Sequence, residues 1–544
     1  MIRLALITLA VLLGRPAMGF SQDTVRTSAD SVAVDSTAGK RAMPVNAELP
    51  DSAKVTIEES KIFDPSTFPP SLGEREAIEA DLRKPPKPRT SFAETPEPMR
   101  GTIKVGYGMY VSPMINGWVG TNTPTTDITL RGGFASTQGH APNRDTRSGN
   151  AQLTGGLFFS ENAGMFANGR LESSASIAHD KYRLYGSTTP DRERTLNTLA
   201  GSVSISAFYS DGGYLKAKAN LEHSSLDDSV RMKEIILGAE VGFGVRMGVF
   251  SLDGTTNVSY NFYTTSIPTS DPTFAEGRLT LHYRPSERLD LYVIGVGYDF
   301  RGTSFPKRRW VGSGGGIVWN ASNSLALFAE YKPYVQQNTL SKFARQNPFL
   351  DYRIHIEHTE FLDNAVAGFE VRARESFVGK ISMAYQEAYR YPVFWHRREN
   401  LWSVEYDFPW IARVLSFQSE LHAELGENVT TGFTLSYRKV RDRMYNWTIP
   451  YLPSLTMSAL YRQKLSRKVF VESDVQYFSS RLPQFSAGQA LRPLTFWNAT
   501  FGYNFSQRVS MSVTIENILD QQRGYWEGYA SQPRRGSLSI ELIW

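Results

Sequence analysis

Apolar and polar residues alternate one by one in stretch after stretch, from about residue 101 to the C-terminal tryptophan. In the last stretch Leu538, Ile540, Leu542 and Trp544 alternate with Ser537, Ser539, Glu541 and Ile543. Upstream, Val509, Met511, Val513 and Ile515 alternate with Ser510, Ser512, Thr514 and Glu516. Trp497, Ala499, Phe501, Tyr503 and Phe505 keep the same beat, and Ile103, Val105, Tyr107, Met109 and Val111 open the series. A period of two puts alternate side chains on opposite faces of a strand, which excludes a helical architecture. It leaves two candidates, a string of soluble β domains or one membrane barrel.

The spacing of turns chooses between them. Tight turns fall near 161–164, 211–213, 247–248, 285–287, 321–323, 374–376, 426–428, 466–467 and 506–508. Longer polar or aromatic loops lie between them, such as 336–359, 390–410, 479–492 and 521–534. Short turns on one rim and long loops on the other are the habit of outer-membrane barrels, with Tyr and Trp gathered near strand ends at two lipid–water interfaces. Nine tight turns imply twenty strands. A tenth at Thr121–Asp127, between strands at Met114–Gly120 and Ile128–Ala135, brings the expectation to 22, an even number as single-chain barrels require. The fold class is therefore all-β, a transmembrane antiparallel β-barrel over 101–544 of about 22 strands, with 20 as the alternative count.

Composition fits this reading. Past the N-terminus no run of about twenty apolar residues occurs, and mean hydropathy is −0.33, so a membrane helix is excluded. A barrel shows lipid only every second residue and tolerates that value. Aromatics make up 12% of the chain, a load that interfacial girdles absorb. The absence of cysteine excludes disulfides, thiolate metal sites and cysteine nucleophiles. A net charge of +5, evenly spread, gives no nucleic-acid footprint.

The N-terminus reads as an address. Arg3, the apolar run Leu4–Leu13 and the small residues of Ala17-Met18-Gly19 form a signal peptide over 1–19, which predicts export to the outer membrane of a Gram-negative bacterium. Residues 20–100 form a periplasmic leader holding ten of the 28 prolines, too poor in apolar residues to offset its own ordering entropy. Ser71 and Glu74 predict one short capped helix over Leu72–Leu82.

The C-terminal block Val513-Thr514-Ile515-Glu516-Asn517-Ile518-Leu519-Asp520, then Arg523-Gly524-Tyr525-Trp526 and a last strand ending in Trp544, resembles the end of TonB-dependent receptor barrels. Gly106-Tyr107-Gly108-Met109-Tyr110, followed by Ser112-Pro113, is similar to first strands in receptor-like barrels of the Bacteroidetes group. The resemblance implies a 22-stranded barrel inserted by the barrel-assembly machinery, which would read Trp544. It also implies a globular plug ahead of the barrel. The Pro-rich 20–100 has no such pattern, so the expectation is a receptor-like barrel lacking the plug. A TonB box can be imagined at Ala53-Lys54-Val55-Thr56-Ile57, but such pentamers are common by chance, and engagement of TonB stays open.

No catalytic constellation emerges. His355 and His358 form a lone H-x-x-H without carboxylate ligands and read as solvated loop histidines. The run Gly312-Ser313-Gly314-Gly315-Gly316 has no following helix to present phosphate-binding amides, so it reads as a kink or as room for interior side chains. Catalytic, metal and cofactor-binding residues are therefore predicted absent, and an enzyme is not expected. Aromatics and arginines concentrate in two loops, with Trp395, Arg397, Arg398 and Trp402 in one and Tyr445 and Trp447 in the other. They are candidate contacts for a sugar, a peptide or anionic lipopolysaccharide, or equally an outer aromatic girdle. Inward charges such as Glu472, Asp474, Glu516, Glu541 and Arg438 mix signs and predict no strong ion selectivity. The leading expectation is passage or binding of a solute or ligand across the outer membrane, with the leader at the periplasmic mouth or in the lumen. The alternative is a non-transporting scaffold or envelope-assembly component. Expected partners are outer-membrane lipids and lipopolysaccharide, the assembly machinery, and a lipoprotein or periplasmic protein, with no nucleic acid.

Overall fold

The computed structural model describes residues 99–544, apart from 124, 161–162, 167, 210–211, 229–230, 266–268, 374–375, 398–399, 407–410, 427 and 484–488. The signal peptide, nearly all of the leader, the helix expected at 72–82 and the pentamer 53–57 lie outside the described residues.

The described chain is a closed antiparallel barrel of 22 strands. Nearly every strand pairs with its neighbours in sequence, and the last, Arg535–Ile543, pairs with the first, Arg100–Gly108, from Thr102↔Ile543 to Gly108↔Ser537. Closure leaves no edge of unpaired amides and carbonyls to face lipid. One wall strand is split into Leu325–Tyr331 and Tyr334–Gln336, both paired with Thr359–Ala373. The break falls at Lys332-Pro333, where proline has no amide to give the ladder. The tenth turn is present, since Ser112–Asn122 and Thr126–Thr137 form a hairpin closed by Asn122↔Asp127.

Alternation sorts the two faces as the sequence suggests. Leu538, Ile540 and Leu542 point outward, 46–48% exposed on the lipid-facing surface, while Ser539 points inward and is buried. The glycine run lies in the strand Arg308–Ser322, and its role is to make room. A Cβ on Gly316 would sit 2.5 Å from the Tyr292 ring, and one on Gly312 would sit 2.5 Å from Trp310. Those two aromatics pack with the inward cluster of Phe274, Ile294, Val296, Tyr298 and Phe300.

The two rims differ in kind. Two residues, Gly248 and Val249, join Arg231–Met247 to Phe250–Thr264, with Gly248 at φ 62°. Such a tight hairpin turn needs positive φ, which glycine supplies without strain. At the opposite rim, the connection from Gln336 to Thr359 contains the helix α1, Leu340–Gln346. That long-loop rim is the outer one by the rule for outer-membrane barrels.

Candidate functional site

Several of the long loops fold inward and pack together and against the inner wall at the outer end of the barrel. α1 begins at Thr339, whose side chain accepts the Lys342 amide at 3.2 Å, and ends with Asn347 donating to the Phe343 carbonyl at 2.8 Å. Leu340, Phe343 and Ala344 lie three and four residues apart, so they form one apolar stripe. That stripe is buried against Leu196, Leu226 and Met232 of the inner wall. The wall also supplies polar anchors. Glu234 accepts the Leu340 amide at 2.7 Å, and Glu222 accepts the Ser341 hydroxyl.

Past α1 the loop is fastened again. Arg194 donates to the carbonyls of Pro348 at 3.0 Å and Leu350 at 2.7 Å, while Asp228 holds its guanidinium from the other side at 2.5 Å. The Tyr182 hydroxyl donates to the same Pro348 carbonyl at 2.7 Å. Above this lies an aromatic seal drawn from several loops. Phe349 stacks on Tyr529 with ring centroids 3.5 Å apart, and Trp402 packs against Tyr451, Trp526 and Tyr529. Each such ring removes on the order of 150–250 Å² from water.

A charged network ties this loop to the neighbouring wall. Arg390, at the end of strand Phe377–Tyr389, stands 3.8 Å from Glu357 and 3.9 Å from Glu360, and Arg308 pairs with Glu360 at 2.8 Å. Glu357 accepts the Ser304 amide at 2.6 Å. Burial pushes its carboxyl above the usual range, against the pull of that amide and of Arg390. His358 is 1% exposed and packs edge-on to Phe274 at 5.6 Å, so it is not the solvated loop residue its sequence suggested. Burial lowers its imidazole to about 4, and the cations Lys342 and Arg390 add to the effect. His355 bonds Ser304 at 2.6 Å in an exposed setting. Among the described residues, no group of three or more acidic or histidine side chains stands ready to hold a metal.

The aromatic and arginine candidates separate. Trp402 is fully buried in the seal and has no face for a ligand in this state, because it lies in a short hairpin, Val393–His396 with Trp402–Glu405, folded beneath the loops. Trp395 is 39% exposed on the same hairpin, and Arg397 is engaged by Glu405 and Ser403. Arg398 lies outside the described residues. Tyr445 and Trp447 stack on each other at 5.0 Å and remain 49% and 41% exposed. The structure therefore brings Trp402 into the cap and leaves Tyr445 and Trp447 at the surface. Sequence reading missed α1 and the wall residues Arg194, Glu222 and Glu234. The available signal was an apolar spacing of three and four, Leu340, Phe343 and Ala344, inside a predicted loop. Trp544 closes the barrel, trading backbone hydrogen bonds of 3.1 Å in both directions with Gly101.

No family model matches the sequence, and no curated protein matches it. Solved structures do match the fold. The FrpB iron transporter from Neisseria meningitidis, F5-1 variant, is similar with a TM-score of 0.64 and 8% identity over 82% of each chain. The siderophore receptor PirA from Acinetobacter baumannii gives 0.62 and 10% identity over 83% of this chain and 81% of that one. The copper transporter OprC gives 0.60 and 12% identity over 82% of this chain and 81% of that one. The fold is that of TonB-dependent receptor barrels, and these neighbours are transport receptors, not enzymes.

Proposed function

We propose that this protein is an outer-membrane receptor-type barrel that binds a solute at its outer mouth and admits it through the lumen. The loop cap works as the gate, and the Pro-rich segment 20–100 acts in place of a globular plug. The observation that carries the reading is the cap itself, an apolar core built from loops and fastened to the wall by Arg194, Glu222 and Glu234. Loops of an inert pore have no need of a private core, whereas a gate needs one stable closed arrangement. The transport neighbours favour the same reading. Iron complexes, siderophores and copper are named for those proteins. For this chain the solute class stays open, because no described metal-ligand group singles one out.

The test is single-channel conductance in planar bilayers of the refolded full-length protein, of the protein lacking 20–100, and of Trp402→Ala. Each change is expected to raise conductance. Unchanged conductance on removing 20–100 would end the role given to that segment. A channel closed in all three forms would favour the scaffold reading, which the continuous aromatic seal also suits. A lipoprotein co-purifying through the leader or loops would then be the expected finding.

A further inference from the structure

The outward surface of three adjacent strands, Phe377–Tyr389, Ile411–Leu425 and Val429–Asp442, changes character abruptly near the outer rim. On the middle strand the outward series runs Leu425, Ala423, Leu421, Ser419, Phe417, Leu415 and then Arg413. The ten residue-to-residue steps from Leu425 to Leu415 span about 34 Å along the strand, or about 26 Å along the membrane normal at the usual tilt of ~40°. That equals the apolar band of an outer-membrane barrel, about 25 Å tall. Arg413 is the next outward position, at the level of the outer headgroups.

Cations outnumber carboxylates there. Arg413 lies directly across the ladder from Arg441, and Lys439 is opposite Leu415. Like charges facing each other across a sheet destabilise it unless an anion intervenes. Glu387, the cross-strand neighbour of Arg413, meets part of the need: it binds Arg413 at 2.6 Å and Arg443 at 2.8 Å, and it accepts the Tyr385 hydroxyl at 2.6 Å. Arg441 bonds only the neutral side chain of Asn446 among the contacts described, at 3.0 Å, and Lys439 is exposed. Asp363, the next outward carboxylate, is engaged by the Tyr331 hydroxyl. Other cations on this rim are paired with carboxylates, as Lys181 with Glu193 at 2.7 Å, Arg183 with Asp145 at 2.8 Å, and both Lys307 and Arg309 with Asp299 at 2.8 and 3.1 Å.

We propose that Arg413, Lys439 and Arg441 bind a phosphate on the saccharide headgroup of an anionic lipid in the outer leaflet. A phosphate monoester carries about −1.5 to −2 charges near neutrality, enough to relieve the facing arginines. Guanidinium groups bind such oxygens in pairs. Glu387 orients Arg413 from the side, and the stacked Tyr445–Trp447 pair, next to Asn446, offers a flat face to a sugar ring. The inference rests on the outer-membrane placement but not on gating, so a failed conductance experiment would leave it intact.

The test uses the full-length protein in non-ionic detergent, titrated with bis-phosphorylated lipid A and with the same lipid stripped of phosphate, and read by native mass spectrometry. Phosphorylated lipid is expected to bind roughly tenfold or more tightly than the stripped form, with the preference shrinking as salt rises. The triple variant Arg413→Gln, Lys439→Gln, Arg441→Gln should lose that preference. The variant Lys181→Gln, Arg183→Gln, at cations that each pair with a carboxylate, should keep it. Heat-modifiable electrophoretic mobility confirms that each barrel is folded. Equal binding of the two lipids, or full retention by the folded triple variant, overturns the proposal. Displacement of the lipid by millimolar inorganic phosphate would assign the site to a free anion and also overturn it.

Discussion

Arg194, on the inner wall, donates a 2.7 Å hydrogen bond to the carbonyl of Leu350, more than 150 residues away in the loop that packs inside the outer rim. The arginine is 1% exposed and its counter-ion Asp228 is nearly as buried. A fully buried charge of this kind persists only with its partners in place, so the contact fastens the cap to the wall.

Replacing Arg194 with Ala should therefore open the cap without unfolding the barrel. Removing one partner of a buried pair costs roughly 3–5 kcal/mol. Limited proteolysis of protein in liposomes checks this: cleavage within 337–358 should accelerate while electrophoretic heat-modifiability stays wild type. A wild-type cleavage rate would show that the contact does not hold the loop.

Trp402 sits in the aromatic seal with no exposed surface, and Trp402→Ala should cost about 3–5 kcal/mol of cap stability by leaving a cavity. Amide hydrogen exchange is the direct readout. Protection should fall in the loops around Phe349, Tyr451 and Trp526, and hold in the transmembrane strands. Loss spread evenly through the barrel would contradict a separate cap core.

The cap should respond to acid through His358 and Glu357, in opposite senses. The buried imidazole of His358 is lowered to about 4, below its ordinary 6.5. It therefore adds stability in full above pH 6.5, and loses it as pH falls from there through 4. The loss is up to about 3 kcal/mol at 1.36 kcal/mol per unit. Glu357 is shifted up by burial, so its contribution is full below its ordinary value of 4.5 and fades as pH rises through its folded value. The groups facing this pair include Arg390, Lys342 and Tyr406. Protease access to 337–358 between pH 7 and 4 is the measurement. His358→Gln should remove the acid-side loosening and Glu357→Gln the loosening toward neutral pH. Identical profiles for both variants and the wild type would refute the assignment.

Glycines in the wall should divide by the space around them. A Cβ on Gly314 would lie 2.2 Å from the Tyr331 carbonyl oxygen, a backbone atom that cannot turn aside. Gly314→Ala should destabilise the barrel by about 1–3 kcal/mol as overpacking does. Gly297 has nothing within 4 Å and an ordinary backbone, so Gly297→Ala should be neutral or slightly stabilising. Urea unfolding of the two variants in micelles compares them directly, and equal midpoints would count against the packing account.

The barrel was legible because each strand announces itself locally. Leu538, Ile540 and Leu542 must face lipid and Ser537, Ser539 and Glu541 the lumen, and no distant residue can alter that parity. Turn residues such as Gly248 and Asn122 to Asp127 carried the strand count, because they too act within a few residues. The glycine run at 312–316 told of a space to be filled, though not that Tyr292 and Trp310 fill it.

The cap could not be read that way. Loops have no period, and the partners of Phe349, Trp402 and Tyr529 come from segments far apart in sequence whose meeting is set by barrel closure. His358 looked like a solvated loop residue because nothing in its own neighbourhood reveals Phe274 and Phe300 on the wall. The sequence by itself determined a barrel of about this size and the lipid-facing half of its surface, since both follow from period-two alternation and local turn chemistry. Only the tertiary structure decided which loops pack together at the outer end and which aromatics form their core, because those contacts exist only once 22 strands close into a ring.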